Sequence, residues 1–150
     1  MIREDLIRAE DEAWTEFWGV AESLSREQLL QDGYYADWSV KDLLAHVGSW
    51  QAEASMMLER IRMGTYEPWT AQEEAINREW WEIWREIDLD AVLAHLHSSR
   101  ARMLEEWSWL PEDRLDREAT EWFEESGPSH YREHLNRLRE WTAEVRASPG

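Results

Sequence analysis

Residues 38–50 read WSVKDLLAHVGSW, and the way this stretch enters a helix decides how the rest of the chain is read. Ser39 is a good helix N-cap, and Asp42, three residues on, makes a variant capping box with Asp in the place of Glu. Beyond it Leu43, Val47, Trp50, Ala54, Met57 and Ile61 recur at helical steps, flanked by Leu44, His46 and Leu58. That period defines one buried helix face. Gly64 follows Arg62 and Met63 and closes the helix in the position where glycine is preferred.

Outward from this stretch the same period repeats. A first helix runs from about Ile2 to Glu22, with Ile2, Leu6, Ala9, Ala13, Phe17, Val20 and Leu24 on its inner face. Ser25 caps a short turn, Arg26 to Leu30, and Asp32-Gly33 then breaks the chain. Thr70-Ala71-Gln72-Glu73 is a full capping box, which predicts a helix over 71–86 with Ile76, Trp80, Ile83 and Ile87 inward. Asp88 caps a further helix, about Leu89 to Trp107, carrying Leu89, Val92, Leu93, Leu96, Met103 and Leu104. Residues 108–127 read as a connection containing Pro111 and Gly127. Pro128 is a first-turn proline and opens a last helix to about Arg146, with residues 146–150 as a frayed tail.

Only 4 Pro and 6 Gly punctuate the chain, and no alternating β-branched run signals a strand. The expectation is a single all-α domain over residues 1–150. Short loops make neighbouring helices antiparallel, but an inserted helix returns the chain to its starting end. The four main helices therefore form a four-helix bundle, up-down-down-up, with residues 65–87 as an extra crossover helix between core helices two and three.

Composition removes several function classes. Across 150 residues, 16 Lys and Arg face 33 Asp and Glu, for a net charge of −17. Phosphate neutralisation needs a cationic stripe, so no nucleic-acid partner is expected, and adsorption to anionic lipid is disfavoured equally. There is no Cys, which excludes disulfides, thiolate metal sites and a Cys nucleophile; any thiol must come from outside. Lys41 is the only lysine. The start is charged from its third residue and no segment is apolar for the length of a bilayer, so a soluble cytoplasmic protein is expected. The 12 Trp exceed what bulk filling alone requires, and Trp38, Trp50 and Trp122 are candidates for core or the wall of a ligand pocket.

The chain has five histidines: His46, His95, His97, His130 and His134. His130 and His134 sit at i, i+4, which projects both rings from one helix face at a spacing suited to two ligands on one metal. The same face continues through Leu138, Trp141 and Val145, so the pair points inward. His130 also lies in the first helical turn, where the macrodipole disfavours imidazolium and keeps a lone pair available. His46 adjoins the inward stripe of its own helix, giving a three-His face with open positions. His95 and His97 lie off the apolar line and are expected to face solvent. Asp42 and Glu53 are candidate carboxylate supports for the rings. Tyr131 and Arg132 read as rim or surface, with Tyr131 a candidate donor to the site. The acidic runs Arg3–Asp11 and Glu121–Glu125 read as solvated faces.

The stretch Trp38-Ser39-Val40-Lys41-Asp42-Leu43-Leu44-Ala45-His46-Val47, with Trp50 after it, resembles the second-helix signature of the DinB/YfiT-like superfamily. His130-Tyr131-Arg132-Glu133-His134-Leu135, with Trp141 after it, resembles its last-helix signature. The His-Tyr-x-x-His form is most similar to the ClbS/DfsB and maleylpyruvate-isomerase-N-domain-like branches. This resemblance implies a four-helix bundle holding a divalent metal on His46, His130 and His134. It also implies relatives that are mycothiol- or bacillithiol-dependent S-transferases and isomerases, and a self-resistance branch that hydrolyses a reactive cyclopropane.

The expected function is a metal-dependent enzyme acting on a small electrophilic molecule. Zn²⁺ or Ni²⁺ suits an all-imidazole site, activating water or a low-molecular-weight thiol, as a hydrolase or thiol S-transferase. Asp42, Glu53, Tyr131 and Glu133 are the candidate proton-transfer groups. The alternative is a non-catalytic bundle that binds or sequesters a small molecule. A homodimer is compatible with either.

Overall fold

The computed structural model describes residues 1–147, and helices account for most of them. In chain order they are α1 (Ile2–Glu22), α2 (Arg26–Leu30), α3 (Val40–Met63), α4 (Glu73–Trp84), α5 (Leu89–Trp109), a 3₁₀ turn (Glu112–Arg114), α6 (Arg117–Ser126) and α7 (Pro128–Ala147). Among the described residues there is no strand, only an isolated bridge between Tyr35 and Trp38. Among the described residues no helix is long and apolar enough to cross a membrane.

The caps read from sequence set most of these boundaries. At the head of α3 the Ser39 N–H donates to Asp42 Oδ2 at 2.9 Å, and Ser39 Oγ accepts from the Asp42 N–H at 3.3 Å. Ser25 and Gln28 form the reciprocal pair at α2. Asp88 accepts from the Ala91 N–H at 2.8 Å to start α5. Gly64 ends α3 at φ 76°, in the left-handed region.

The structure corrects the sequence expectation in four places. The capping box at Thr70–Glu73 does not form: α4 starts at Glu73, Gln72 caps without a side-chain bond, and the helix stops at Trp84. Residues 108–127 contain a helix, α6, whose N-cap Asp116 accepts from the Ala119 N–H at 2.9 Å. Arg146 and Ala147 belong to α7; the rest of the expected frayed tail, 148–150, lies outside the described residues. Finally, the run Arg3–Asp11 is not wholly solvated. Glu10 is fully buried, because Arg100 of α5 reaches in to meet its carboxylate.

Packing pairs α3 with α5 and α1 with α7, while α6 lies against both α3 and α7. One core gathers Phe17, Leu43, Val47, Leu96, Tyr131 and Leu138. A second gathers Ala54, Leu58, Met103, Trp107 and Phe123. Helices α3 and α7 pass each other in opposite senses. Arg137 donates to the Tyr34 carbonyl ahead of α3, His46 faces His130 and His134, and Gln51 reaches back to Tyr131. Because α6 occupies a further length of α3, α7 begins part-way along it. That offset brings the start of α7 level with the second turn of α3.

Candidate metal centre

Two local devices aim the histidines. The Ser39–Asp42 box fixes the first turn of α3, and His46 follows one turn after Asp42. On the other side of the site, α6 hands over to α7 through Gly127, whose N–H donates to the Phe123 carbonyl while its own carbonyl accepts from the Tyr131 N–H. A Cβ on Gly127 would stand 2.7 Å from the Phe123 carbonyl oxygen, so this corner requires a residue without one. Pro128 starts the helix, placing His130 and His134 one turn apart on its inner side.

The three rings converge. His46 Nε2 lies 3.0 Å from His130 Nε2, and His134 Nε2 lies 3.1 Å from the same atom. Ring centroids are separated by 4.9, 5.3 and 4.8 Å around the triangle. One ligand nitrogen from each ring can be chosen so that all three fall within 4.8 Å of one another. Two nitrogens bound at about 2.0–2.1 Å to one ion sit roughly 3 Å apart, so the donor set and spacing fit a single divalent cation.

Electrostatics favour the ligand form of each ring. Burial, with His134 beside it, pulls His46 down to about 3. Burial also holds His130 well below the usual imidazole range, helped by its two neighbours. His134 is lowered by burial, with Glu133 opposing. All three are neutral near pH 7 and offer lone pairs. One group is left over: His130 Nδ1 is buried without a hydrogen-bond partner among the described residues.

The histidines form the floor of an open cleft of about 1380 Å³. Trp38 meets His46 edge-on at 5.6 Å and stacks on Trp81 at 6.3 Å. Trp50 donates to Asn77 Oδ1 at 2.8 Å and packs against Trp69 and Trp80. Trp122 donates to the Tyr66 hydroxyl at 3.2 Å. Trp38, Trp50 and Trp122 thus all line the cleft, as does Glu133.

Other candidates are placed elsewhere. Asp42 is consumed by the helix cap, and no hydrogen bond links it to His46. Glu53 is half-buried on α3 but does not line the cleft. Tyr131 is not at the rim: one residue past His130 is a step of about 100° around the helix, which turns the side chain to α1, where it stacks on Phe17 and its hydroxyl accepts from Gln51 at 2.8 Å. Burial pushes that phenol well above its usual range, so it stays protonated. His95 does not face solvent either. It stacks on Trp84 at 4.1 Å and has Ser99 Oγ 3.3 Å from Nδ1, whereas His97 is exposed. Sequence reading missed Trp69, Trp81 and Asn77 as lining. The signal was the 74, 77, 78, 81 spacing on α4, which places a second face beside the apolar one.

The family model of the mycothiol maleylpyruvate isomerase N-terminal domain matches residues 11–143. No curated protein and no solved structure matched the chain. With that coverage, the chain belongs to the mycothiol maleylpyruvate isomerase N-terminal domain family, and through it to the DinB/YfiT-like superfamily.

Proposed function

We propose that this chain is a metal-dependent enzyme whose ligands are His46, His130 and His134, acting on a small electrophilic molecule held in the tryptophan-walled cleft. The observation that carries the reading is the meeting of three neutral Nε2 atoms at the cleft floor. A divalent cation held there supplies a Lewis acid that makes water or a low-molecular-weight thiol nucleophilic near neutral pH, and Zn²⁺ or Ni²⁺ suits the imidazole donors. Hydrolysis or thiol S-transfer is the reaction class. The chain's own parts do the rest: the tryptophans exclude water and orient the ligand, and Glu133, beside His134, is the candidate proton acceptor that lines the cleft.

The scaffold belongs to the same proposal: one domain in which α1, α3, α5 and α7 form an up-down-down-up bundle and α4 serves as the crossover. The pairing of α3 with α5 and α1 with α7, and the opposed senses of α3 and α7, support it. A second reading, a non-catalytic binding or sequestering bundle, is favoured by one observation. Among the described residues the hydrogen bonds of the three rings stay within the triad, and no carboxylate supports them. Elemental analysis of the purified chain tests the metal. About one ion per chain, lost in His134→Ala, is expected. Metal-free protein whose thermal stability ignores added Zn²⁺ and Ni²⁺ overturns the reading.

A further inference from the structure

The walls of the cleft carry a charge that the metal reading does not use. Carboxylates outnumber guanidiniums in the lining by eight to two. Five of the eight come from the first turn of α4 and from α6: Glu73 and Glu74 on the one, and Glu118, Glu121 and Glu125 on the other. Glu121 pairs with the exposed Arg117 at 2.7 Å, and none of the other four has an ion pair with a described residue. Of the two guanidiniums, Arg137 is engaged by the Tyr34 carbonyl and by Glu140 and Glu144, which leaves Arg78 as the lining's counter-charge. The two helices crowd each other electrostatically. Glu121, Glu73 and Glu124 all act to keep a proton on Glu125, adding to its partial burial.

Aromatic faces occupy the same end of the cleft. Trp69 bridges Trp50 and Trp122, at 5.3 Å and 6.0 Å, with the rings close to perpendicular. A box of indole rings rimmed by carboxylates is the arrangement that recognises an organic cation, through ring quadrupoles and Coulomb attraction together. An anionic ligand would meet repulsion from both sides.

We propose that the cleft selects a ligand bearing an ammonium or amidinium-type cation, seated among Trp69, Trp122, Glu73, Glu121 and Glu125, with its remaining part extending toward the histidine floor. This specifies the substrate class of the same site and rests on the metal-centre reading for which end of the ligand reacts. The cation seat itself stands on the walls alone.

The test therefore uses metal-free protein in a chelator. Tryptophan fluorescence is titrated with benzyltrimethylammonium, its neutral isostere neopentylbenzene, and phenylmethanesulfonate. The cation is expected to bind about tenfold or more tighter than the neutral probe, the sulfonate not at all, and added salt to weaken the cation. In E73Q/E121Q/E125Q, whose three positions are exposed, the cation's advantage is expected to disappear while circular dichroism and the response to Zn²⁺ stay unchanged. Equal binding of cation and isostere, or an undiminished preference in the triple variant, overturns the proposal. Failure to bind Zn²⁺ or Ni²⁺ is read in a separate titration and bears on the metal centre alone.

Discussion

His46 and His130, 84 residues apart in sequence, meet nitrogen to nitrogen at 3.0 Å, and His130 stands at nearly the same distance from His134. His130 Nε2 is thus the hub of the triad. A single ring N–H can serve only one of two facing lone pairs, so the cluster cannot satisfy itself by hydrogen bonding. A cation satisfies all three at once. At a free concentration a hundredfold above Kd, Zn²⁺ or Ni²⁺ is expected to stabilise the chain by about 2.7 kcal/mol, or roughly 5–11 °C in Tm at this size. His130→Ala should abolish the shift, as read by thermal denaturation with and without metal.

Metal-free protein should lose stability as pH falls below neutrality. Unfolding restores each buried ring to an ordinary histidine that takes up a proton near pH 6.5, whereas folded His46 resists until about 3. The unfolded state binds more protons in that window, so stability is complete above pH 6.5 and declines below it. The slope is about 1.4 kcal/mol per pH unit for each ring held neutral. Glu10, whose carboxyl is raised by burial, works in the opposite direction near its own range. The difference between wild type and His46→Gln isolates the ring. Urea midpoints at several pH values should give a shallower slope for the variant, and parallel slopes would contradict the assignment.

The parts of the fold that announce themselves in sequence are those whose signal is local. Ser39, Ser25 and Asp88 each sit beside their own hydrogen-bond partners, so cap and helix start are read together. The His130 and His134 pair is legible because one helix carries both. The failures are tertiary. Helix α6 has few apolar residues, and Ala119, Trp122 and Phe123 are hard to see among acidic neighbours until α3 supplies the surface they bury against. Tyr131 looks like a site residue by adjacency to His130, yet a single helical step turns it to α1. Which carboxylates reach the cleft depended on α4, whose start shifted by two residues when its capping box failed to form.

Gly127 should prove to be a positioning residue for the site. The restriction is the space around the missing side chain: an added Cβ meets the Phe123 carbonyl at 2.7 Å and the Met103 side chain at 3.3 Å. The α6–α7 corner must open to admit it, and His130 moves with the corner. Gly127→Ala is expected to lower stability by about 1–3 kcal/mol and to weaken metal binding more than tenfold. Gly19→Ala is the control, because nothing lies within 4 Å of its Cβ position in α1. There the alanine should be neutral or gain up to about 1 kcal/mol through helix propensity.

The largest stability loss in the chain is expected from Arg100. Its Nε donates to both Glu10 oxygens, at 2.8 and 3.1 Å, and its guanidinium lies 4.7 Å from the Trp14 ring centroid. Glu10 is fully buried, so its charge is tolerated only because that fork answers it. Arg100→Met strands the carboxylate beside Tyr131, and should cost about 3–5 kcal/mol or force Glu10 to take up a proton. The double variant Glu10→Leu with Arg100→Met removes both charges and should recover most of the loss, since a well-packed apolar pair can match a buried ion pair. A double-mutant cycle by urea denaturation reads this directly. If the single and double variants are equally destabilised, packing around Trp14 rather than the buried charge sets the stability there.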